Sequence, residues 1–164
     1  MEHMRESKNS YIGTRYHCKD DKERKGENRP KKVFICSPFA PRGETREEMQ
    51  KDMERNIRAA QRACRFAALE GNVPYAPHLF FTQFLDDGDS LEREYGQVMG
   101  LSWLRQCDEI RVIGRRISPG MRREIKKARE WGIPVKKYVF KRSPDVRTLD
   151  ALFEPNTEFI EMDV

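Results

Sequence analysis

The feature that most constrains the fold is the alternation of short apolar runs with helical patterns between residues 32 and 140. Val33–Cys36 is a continuous apolar run, which is typical of a strand buried on both faces. Further strand patterns follow at 73–78, 108–114 and 133–140. Strands that alternate with helices imply right-handed crossovers and a parallel sheet. We therefore predict an α/β protein with three layers around a short parallel sheet.

Local signals mark where the helices begin and end. Thr45 and Glu48 have the spacing of a capping box, and Gly71 is placed to end the first helix. Ser90 is expected to cap a second helix that runs to Leu104. Ser118–Pro119 predicts a third helix start, with Ser as the N-cap and Pro at the first helical position.

Two segments have weaker patterns. Residues 77–89 carry no clear periodicity, so we interpret them as a loop. The last strand pattern, 133–140, contains Pro134 and two lysines, a composition that suits an edge strand.

Charge divides the chain into a predicted flexible basic arm at 1–31, an α/β domain at 32–140 and a C-terminal tail at 141–164 packed on the domain. Residues 1–32 contain ten Lys/Arg and six Asp/Glu, so 10 − 6 = +4 of the net charge of +5 lies there. We expect the arm to give at most nonspecific contact with nucleic acid. Without a long apolar run, the sequence predicts no membrane contact and a cytoplasmic location.

The cysteines give no sign of a metal or redox site. None of the four belongs to a CxxC pair, and three of them lie among apolar neighbours, so we interpret those as buried thiols. The spacing of His3, His17 and Cys18 fits no closed metal site. We expect neither a metal nor a cofactor.

The ligand site is expected at the carboxyl ends of the parallel strands. Three predicted loops, 37–43, 77–89 and 114–120, meet there. They carry the polar candidates Ser37, Arg42, His78, Asp86, Asp87 and Ser118.

The segment Ser118–Met121 and the following Glu124 form the sharpest local pattern. A helix N-terminus has free N–H groups and a positive dipole end, which suit a phosphate or carboxylate, and Gly120 lets a ligand approach the backbone. The alternative is an ordinary helix cap. Glu124 follows Met121 on the helix face shared with Ile125 and Ala128, so it is either a functional carboxylate near the crevice or a surface residue of a charged helix.

These motifs resemble the nucleoside 2-deoxyribosyltransferase superfamily, which includes the deoxynucleoside 5′-monophosphate N-glycosidases. The likeness lies in Ser118-x-Gly120-x-x-x-Glu124 after a strand that begins with Asp108. Phe34–Phe39 and Pro77–His78 resemble the superfamily's first two loops. The sequence is most similar to the uncharacterised phage and bacterial branch. The resemblance spans about residues 32–140 and implies a flavodoxin/Rossmann-like fold.

The resemblance implies cleavage or transfer of the N-glycosidic bond of a (deoxy)nucleoside or nucleotide. Glu124 would be the nucleophile, because a carboxylate stabilises an oxocarbenium-like transition state. Ser118 and Gly120 would hold a 5′-phosphate or 5′-hydroxyl, with Arg42 as the counter-charge. The other residues expected to bind substrate are Ser37, Pro38, Phe39, His78, Asp86, Asp87 and Met121.

Two positions depart from the superfamily pattern. Its base-protonating Asp corresponds to Gly100, and its first-strand Tyr corresponds to Phe34. An acid would then come from the neighbouring loop and helix, where the candidates are Asp86, Asp87, Asp89 and Glu94. The alternative is an inactive module of the same fold that binds a nucleotide or an ADP-ribose-type ligand.

The superfamily's members are homo-oligomers, and this sequence offers a suitable interface. Residues 79–85 hold five large apolar side chains in seven positions. We expect a homodimer or larger assembly, with this segment and the helix 90–104 at the interface. The alternative is that 79–85 folds inward as a lid over the pocket.

Overall fold

The computed structural model describes residues 29–140 and the backbone of 159–162. The predictions for the rest of the arm and the tail lie outside these residues. The strands are β1 (Lys32–Cys36), β2 (Val73–Tyr75), β3 (Glu109–Ile113), β4 (Val135–Phe140) and β5 (Phe159–Met162). The helices are α1 (Arg46–Leu69), α2 (Pro77–Phe81), α3 (Ser90–Leu104) and α4 (Pro119–Glu130).

The strands form one sheet in the order β2-β1-β3-β4-β5. The first four are parallel, and β5 pairs antiparallel with β4. The predicted α/β fold with a short parallel sheet is confirmed. The order 2-1-3-4 is that of a flavodoxin-like sheet, in which β2 lies on one side of β1 and β3 and β4 lie on the other. The crevice of such a sheet opens at the carboxyl ends of β1 and β3.

Most predicted element boundaries agree with the structure. Thr45 and Glu48 form a complete capping box at the start of α1, and Ser118 caps α4 with Pro119 as its first residue. The second predicted helix begins one residue after its cap, which is Asp89 rather than Ser90.

Two expectations were wrong. Residues 77–81 form the short helix α2 rather than a loop, because Pro77 suits the first position of a helix and Phe81 is buried against the body. The strand β4 is not an edge, because β5 covers its outer side. Pro134 precedes the strand, where its missing N–H is not needed, and its carbonyl accepts a hydrogen bond from Ile110 N at 2.9 Å.

Helices cover both faces of the sheet. The helix α1 packs Ala63 and Ala67 against Val33 and Ile35 of β1 on one face. On the other face, α3 and α4 cover a second cluster, whose buried members are Phe34, Cys36, Leu104, Ile110, Val112, Met121 and Ala128. None of the helices within the described residues is both long enough and apolar enough to cross a membrane.

Candidate functional site

A cavity of about 320 Å³ opens beside the carboxyl end of β1 and the start of α4. Its walls come from the loop after β1, from α2 and the turn that follows it, from α3, and from the first turns of α4. Eight of the eleven predicted site residues line it: Ser37, Phe39, His78, Asp87, Ser118, Gly120, Met121 and Glu124.

The other three predicted residues, Pro38, Arg42 and Asp86, are not part of the cavity wall. Arg42 is exposed, and its backbone N–H donates to Asp52 at 2.8 Å. The carboxylate of Asp86 accepts from Gly88 N at 2.8 Å, which serves the turn before α3. Arg42 therefore does not line the cavity, and its role as a counter-charge stays a prediction.

The loop after β1 and the helix α2 form a neutral, partly aromatic wall. Ser37 is buried, and its hydroxyl lies 3.1 Å from His78 Nε2. The rings of Phe39 and His78 lie 5.3 Å apart, centre to centre. Burial lowers the pKa of His78 to about 4, so the imidazole is uncharged at neutral pH. This wall can accept or donate hydrogen bonds without carrying a charge.

The start of α4 has fewer free donors than an ordinary helix N-terminus. Pro119 has no N–H, and the N–H of Met121 donates to the Ser118 hydroxyl at 3.3 Å. Arg122 N already bonds to Ser118 O at 3.0 Å. Gly120 lines the cavity, and an added Cβ there would meet only Ser118 Oγ, at 3.9 Å, so a ligand has room to approach the backbone at this position.

Glu124 brings a carboxylate into this cavity one turn further along α4. Burial raises its pKa to about 7, and the effect of the Cys36 thiol opposes that rise. Cys36 is itself completely buried, and its thiol donates to the Met121 carbonyl, with the sulfur 4.0 Å from the oxygen. Burial first, and then the Glu124 charge, raise the pKa of this thiol, so it stays protonated.

The turn between α2 and α3 contributes a second carboxylate to the cavity wall. Asp87 Oδ1 lies 3.9 Å from Arg93 Nε, and both residues line the cavity. Burial raises the pKa of Asp87 more than the Arg93 charge lowers it. Glu92 also lines the cavity, and its carboxylate accepts from Asp86 N at 2.6 Å, which orders the turn.

Sequence reasoning missed the contribution of α3. Gly96 and Gly100 lie one turn apart and let α3 approach α2 closely. An added Cβ on Gly96 would lie 3.7 Å from Leu85, and one on Gly100 would lie 3.4 Å from Pro77. The small-x-x-x-small spacing was the signal that could have predicted this packing.

It also missed the residues that hold the loop after β1. The side chain of Asn56, buried on α1, donates to Phe39 O at 3.1 Å. The Arg116 guanidinium donates to Ala40 O at 2.8 Å and lies 3.5 Å from Asp52. Both hydrogen bonds come from residues that are far from the loop in sequence, so no local motif predicts them.

Within the described residues, no three His, Cys, Asp or Glu side chains are grouped so as to hold a metal ion. The arrangement instead offers a carboxylate of raised pKa, a second acid across the cavity, and an uncharged aromatic wall. Such a site can bind a flat, polar ring and support nucleophilic or acid–base chemistry beside it.

The sequence matches the family described as "Domain of unknown function (DUF7768)" over residues 31–138. No curated protein matches it. Among solved structures, the chain is similar to a 2-deoxyribosyltransferase from the psychrotolerant bacterium Bacillus psychrosaccharolyticus. The two are 17% identical with a TM-score of 0.46, and the match covers 79% of this chain and 99% of the other.

Proposed function

We propose that this chain, which belongs to the DUF7768 family, binds a (deoxy)nucleoside or nucleotide and cleaves or transfers its N-glycosidic bond through Glu124. One observation carries the proposal: Glu124 is a carboxylate of raised pKa in the wall of a cavity, with no ion pair among the described residues. The resemblance of Ser118–Glu124 to the nucleoside 2-deoxyribosyltransferase superfamily supports it. Membership in the phage and bacterial branch of that superfamily stays a prediction.

In the proposed reaction, a Glu124 oxygen attacks the anomeric carbon of the sugar. The bond from that carbon to the base nitrogen breaks, and the leaving base takes a proton from an acid on the other side of the cavity. A water molecule or an acceptor base then attacks the same carbon and releases Glu124, while the acid recovers its proton from the attacking group. A carboxylate suits this role because the transition state resembles an oxocarbenium ion.

Asp87 is the best candidate for that acid. Of the four acids that the sequence offered, it is the one that lines the cavity. The side chain of Asp89 caps α3, and Glu94 is exposed on that helix. Gly100, which stands at the position of the superfamily's aspartate, has no side chain that could donate a proton. The raised pKa of Asp87 favours a proton donor.

The neutral wall is proposed to hold the base and sugar. Phe39 offers a face for stacking, and His78, uncharged and fixed by Ser37, offers a ring nitrogen for a hydrogen bond. The Gly120 N–H and the Ser118 hydroxyl are proposed to bind the oxygen at the 5′ end of the sugar, because both residues line the cavity.

A second candidate function is ligand binding without chemistry. It is favoured by Phe34, which stands where the superfamily has a tyrosine and cannot hydrogen-bond to the nucleophile. Under this alternative the same cavity would hold a nucleotide or an ADP-ribose-type ligand and leave it intact.

Incubation with a panel of (deoxy)nucleosides and their 5′-monophosphates, followed by chromatography for free base, tests the proposal. Glu124→Gln should reduce base release by about 10³-fold or more while ligand affinity stays nearly the same. Glu130→Gln, which removes a carboxylate from the far end of the same helix, is the control and should retain full activity. Undiminished turnover in Glu124→Ala would rule out the nucleophile. Binding of a panel member without base release in the wild type would favour the alternative.

We also propose that two or more copies associate through α2 and α3. Large apolar side chains are exposed there: Phe80, Phe84, Leu91, Tyr95, Val98, Met99 and Trp103. Each of them is 37–58% exposed, which is unusual for so many large apolar side chains on two neighbouring elements. Buried Phe81 does fold inward beside the cavity, but its exposed neighbours do not.

Light scattering at micromolar concentration tests this assembly. Phe84→Glu, on the exposed face, should shift the mass towards a monomer, whereas the exposed Met49→Glu on α1 should not. A monomer mass for the wild type would contradict the proposal. The cytoplasmic location predicted from the sequence stays a prediction.

A further inference from the structure

Arg116 lies in the loop that leads from β3 to α4 and reaches the loop after β1. Its guanidinium donates to the carbonyl of Ala40 at 2.8 Å and lies 3.5 Å from the carboxylate of Asp52 on α1. The strands β1 and β3 are neighbours in the sheet, and Ala40 and Ser118, one from each loop, line the cavity. Arg116 therefore ties together two loops that both form the cavity wall.

The loop after β1 is also held by side chains of α1. The carbonyl of Phe39 accepts from the buried Asn56 side chain at 3.1 Å, and the N–H of Arg42 donates to Asp52 at 2.8 Å. Together with the bond from Arg116, these contacts occupy backbone groups on both sides of the loop's centre. Hydrogen bonds of this kind restrict the loop to one backbone conformation.

The ring of Phe39 depends on that backbone for its position. It lines the cavity and lies 5.3 Å from the ring of His78, centre to centre. Among the described residues, Phe39 is a member of neither apolar cluster of the core. Core packing therefore does not fix the ring, and the support of the loop decides where it lies.

Stability alone explains Arg116 poorly. Its Nε is buried and has no hydrogen-bond partner among the described residues, which costs free energy. Arg111, by contrast, bonds through its guanidinium to the carboxylates of both Glu109 and Glu70. Arg116 is better explained by the loop that it holds than by a fully satisfied network of its own.

We propose that Arg116 is a positioning residue, which holds the loop after β1 so that the Phe39 ring stays against His78 and forms a ready surface for the base of the ligand. The inference rests on the proposed function, in which the base stacks on Phe39. Arg116 is not among the residues that line the cavity, so it acts through Phe39 rather than on the ligand.

The test is the NMR signal of the His78 ring protons, recorded on the full chain at neutral pH and assigned with His78→Gln. A nearby aromatic ring shifts this signal, so Phe39→Leu gives the change that follows from removing the ring. Arg116→Met removes both contacts of the guanidinium and should move the signal in the same direction. Arg116→Gln cannot reach Ala40 and Asp52 at once and should give a smaller shift in that direction.

Arg115→Met is the matched control, because it removes an exposed guanidinium from the neighbouring position of the same loop. It should leave the His78 signal unchanged. The proposal is overturned if folded Arg116→Met or folded Arg116→Gln keeps the wild-type signal, or if Arg115→Met shifts it as far as Arg116→Met does.

Any nucleoside or nucleotide from which base is released provides a second measurement. Arg116→Met should raise its KM by about three- to tenfold and leave kcat nearly unchanged, because stacking on Phe39 contributes to binding before and during the reaction alike. A fall in kcat at an unchanged KM would contradict the proposal. Since the NMR comparison needs no substrate, it decides the role of Arg116 even if no nucleoside is turned over, which would count against the proposed function alone.

Discussion

Two largely buried glutamates, Glu109 and Glu124, lie on opposite faces of the same sheet and have opposite surroundings. Glu109, 2% exposed in β3, accepts from Arg111 Nε at 2.7 Å and lies within 4 Å of two lysines, Lys31 and Lys136. Burial acts to raise the pKa of both carboxyls. For Glu109, the hydrogen bond and charge of Arg111, together with the charges of Lys136 and Lys31, outweigh burial and lower the pKa, whereas for Glu124 burial prevails.

The network around Glu109 is satisfied on every side. Arg111 also bonds to Glu70 at the end of α1, and its guanidinium stacks 5.0 Å from the Tyr138 ring centre. A carboxylate that only supports the fold is paired in this way. Glu124 lines the cavity and has no ion pair among the described residues, and this contrast with Glu109 is why we propose Glu124 as the group that meets a ligand.

The largest effect on stability is expected from breaking the ion-pair network around Glu109. Arg111→Met leaves Glu109 and Glu70 without their shared partner, so the free energy of unfolding should fall by about 3–5 kcal/mol. Chemical denaturation measures this loss. Arg111→Lys keeps the charge but loses the planar guanidinium that bonds both carboxylates. Its free energy of unfolding should therefore lie between those of the wild type and Arg111→Met. A loss below about 1 kcal/mol in Arg111→Met would show that the network is not important for stability.

A gain in stability is expected when the charge of Glu124 is removed. The pKa of Glu124 is about 7 in the folded chain and near 4.5 in an unfolded one, so the folded state holds an extra proton between these values. Stability from this residue therefore falls as the pH rises from about 4.5 to 7. Glu124→Gln should raise the free energy of unfolding by about 2–3 kcal/mol at pH 8 and by almost nothing at pH 4.5. Equal stability of the two proteins at pH 8 would contradict the raised pKa.

His78 makes the opposite contribution in the same range of pH. Its pKa falls from 6.5 to about 4 on folding, so its contribution to stability is lost as the pH drops through this window. In the wild type the two effects should nearly cancel between pH 4.5 and 6.5. In Glu124→Gln, the His78 effect should emerge as a loss of about 2 kcal/mol over that interval. Thermal or chemical unfolding at several pH values measures both slopes, and a flat profile in the variant would contradict the account.

The sequence predicted the parallel sheet, though not the order of its strands, and it predicted that Glu124 lies on the face of its helix near the crevice. Both depend on short-range patterns: apolar runs set the strands, and Glu124 follows from its spacing to Met121 and Ala128 along one helix. The helix α2 was missed because five residues are too few for a period to appear. The strand β5 was missed because it forms by pairing with β4 across a long stretch of chain.

The partners of the two glutamates could not be predicted in the same way. The alternation of β3 indicated a strand, but Arg111 meets Glu70 across 41 residues of sequence. Cys36 looked like an ordinary buried thiol in an apolar run, and only the packing of β1 under α4 brings its Sγ to 4.0 Å from the carbonyl of Met121, three residues before Glu124. Pairing of this kind depends on tertiary contacts, which spacing along the chain does not encode.

The smallest effect on stability is expected from Lys31, the exposed cation beside Glu109. Lys31 Nζ lies 3.4 Å from Glu109, but its side chain is 52% exposed, so water already screens its charge. Lys31→Met should therefore lower the free energy of unfolding by less than about 1 kcal/mol, and this small loss should shrink in 1 M salt. Chemical denaturation at low and high salt measures it beside Arg111→Met. A loss as large as that of Arg111→Met would mean that Glu109 depends on the whole set of cations rather than on the buried guanidinium, and the contrast with Glu124 would then rest on charge number instead of on one hydrogen-bonded partner.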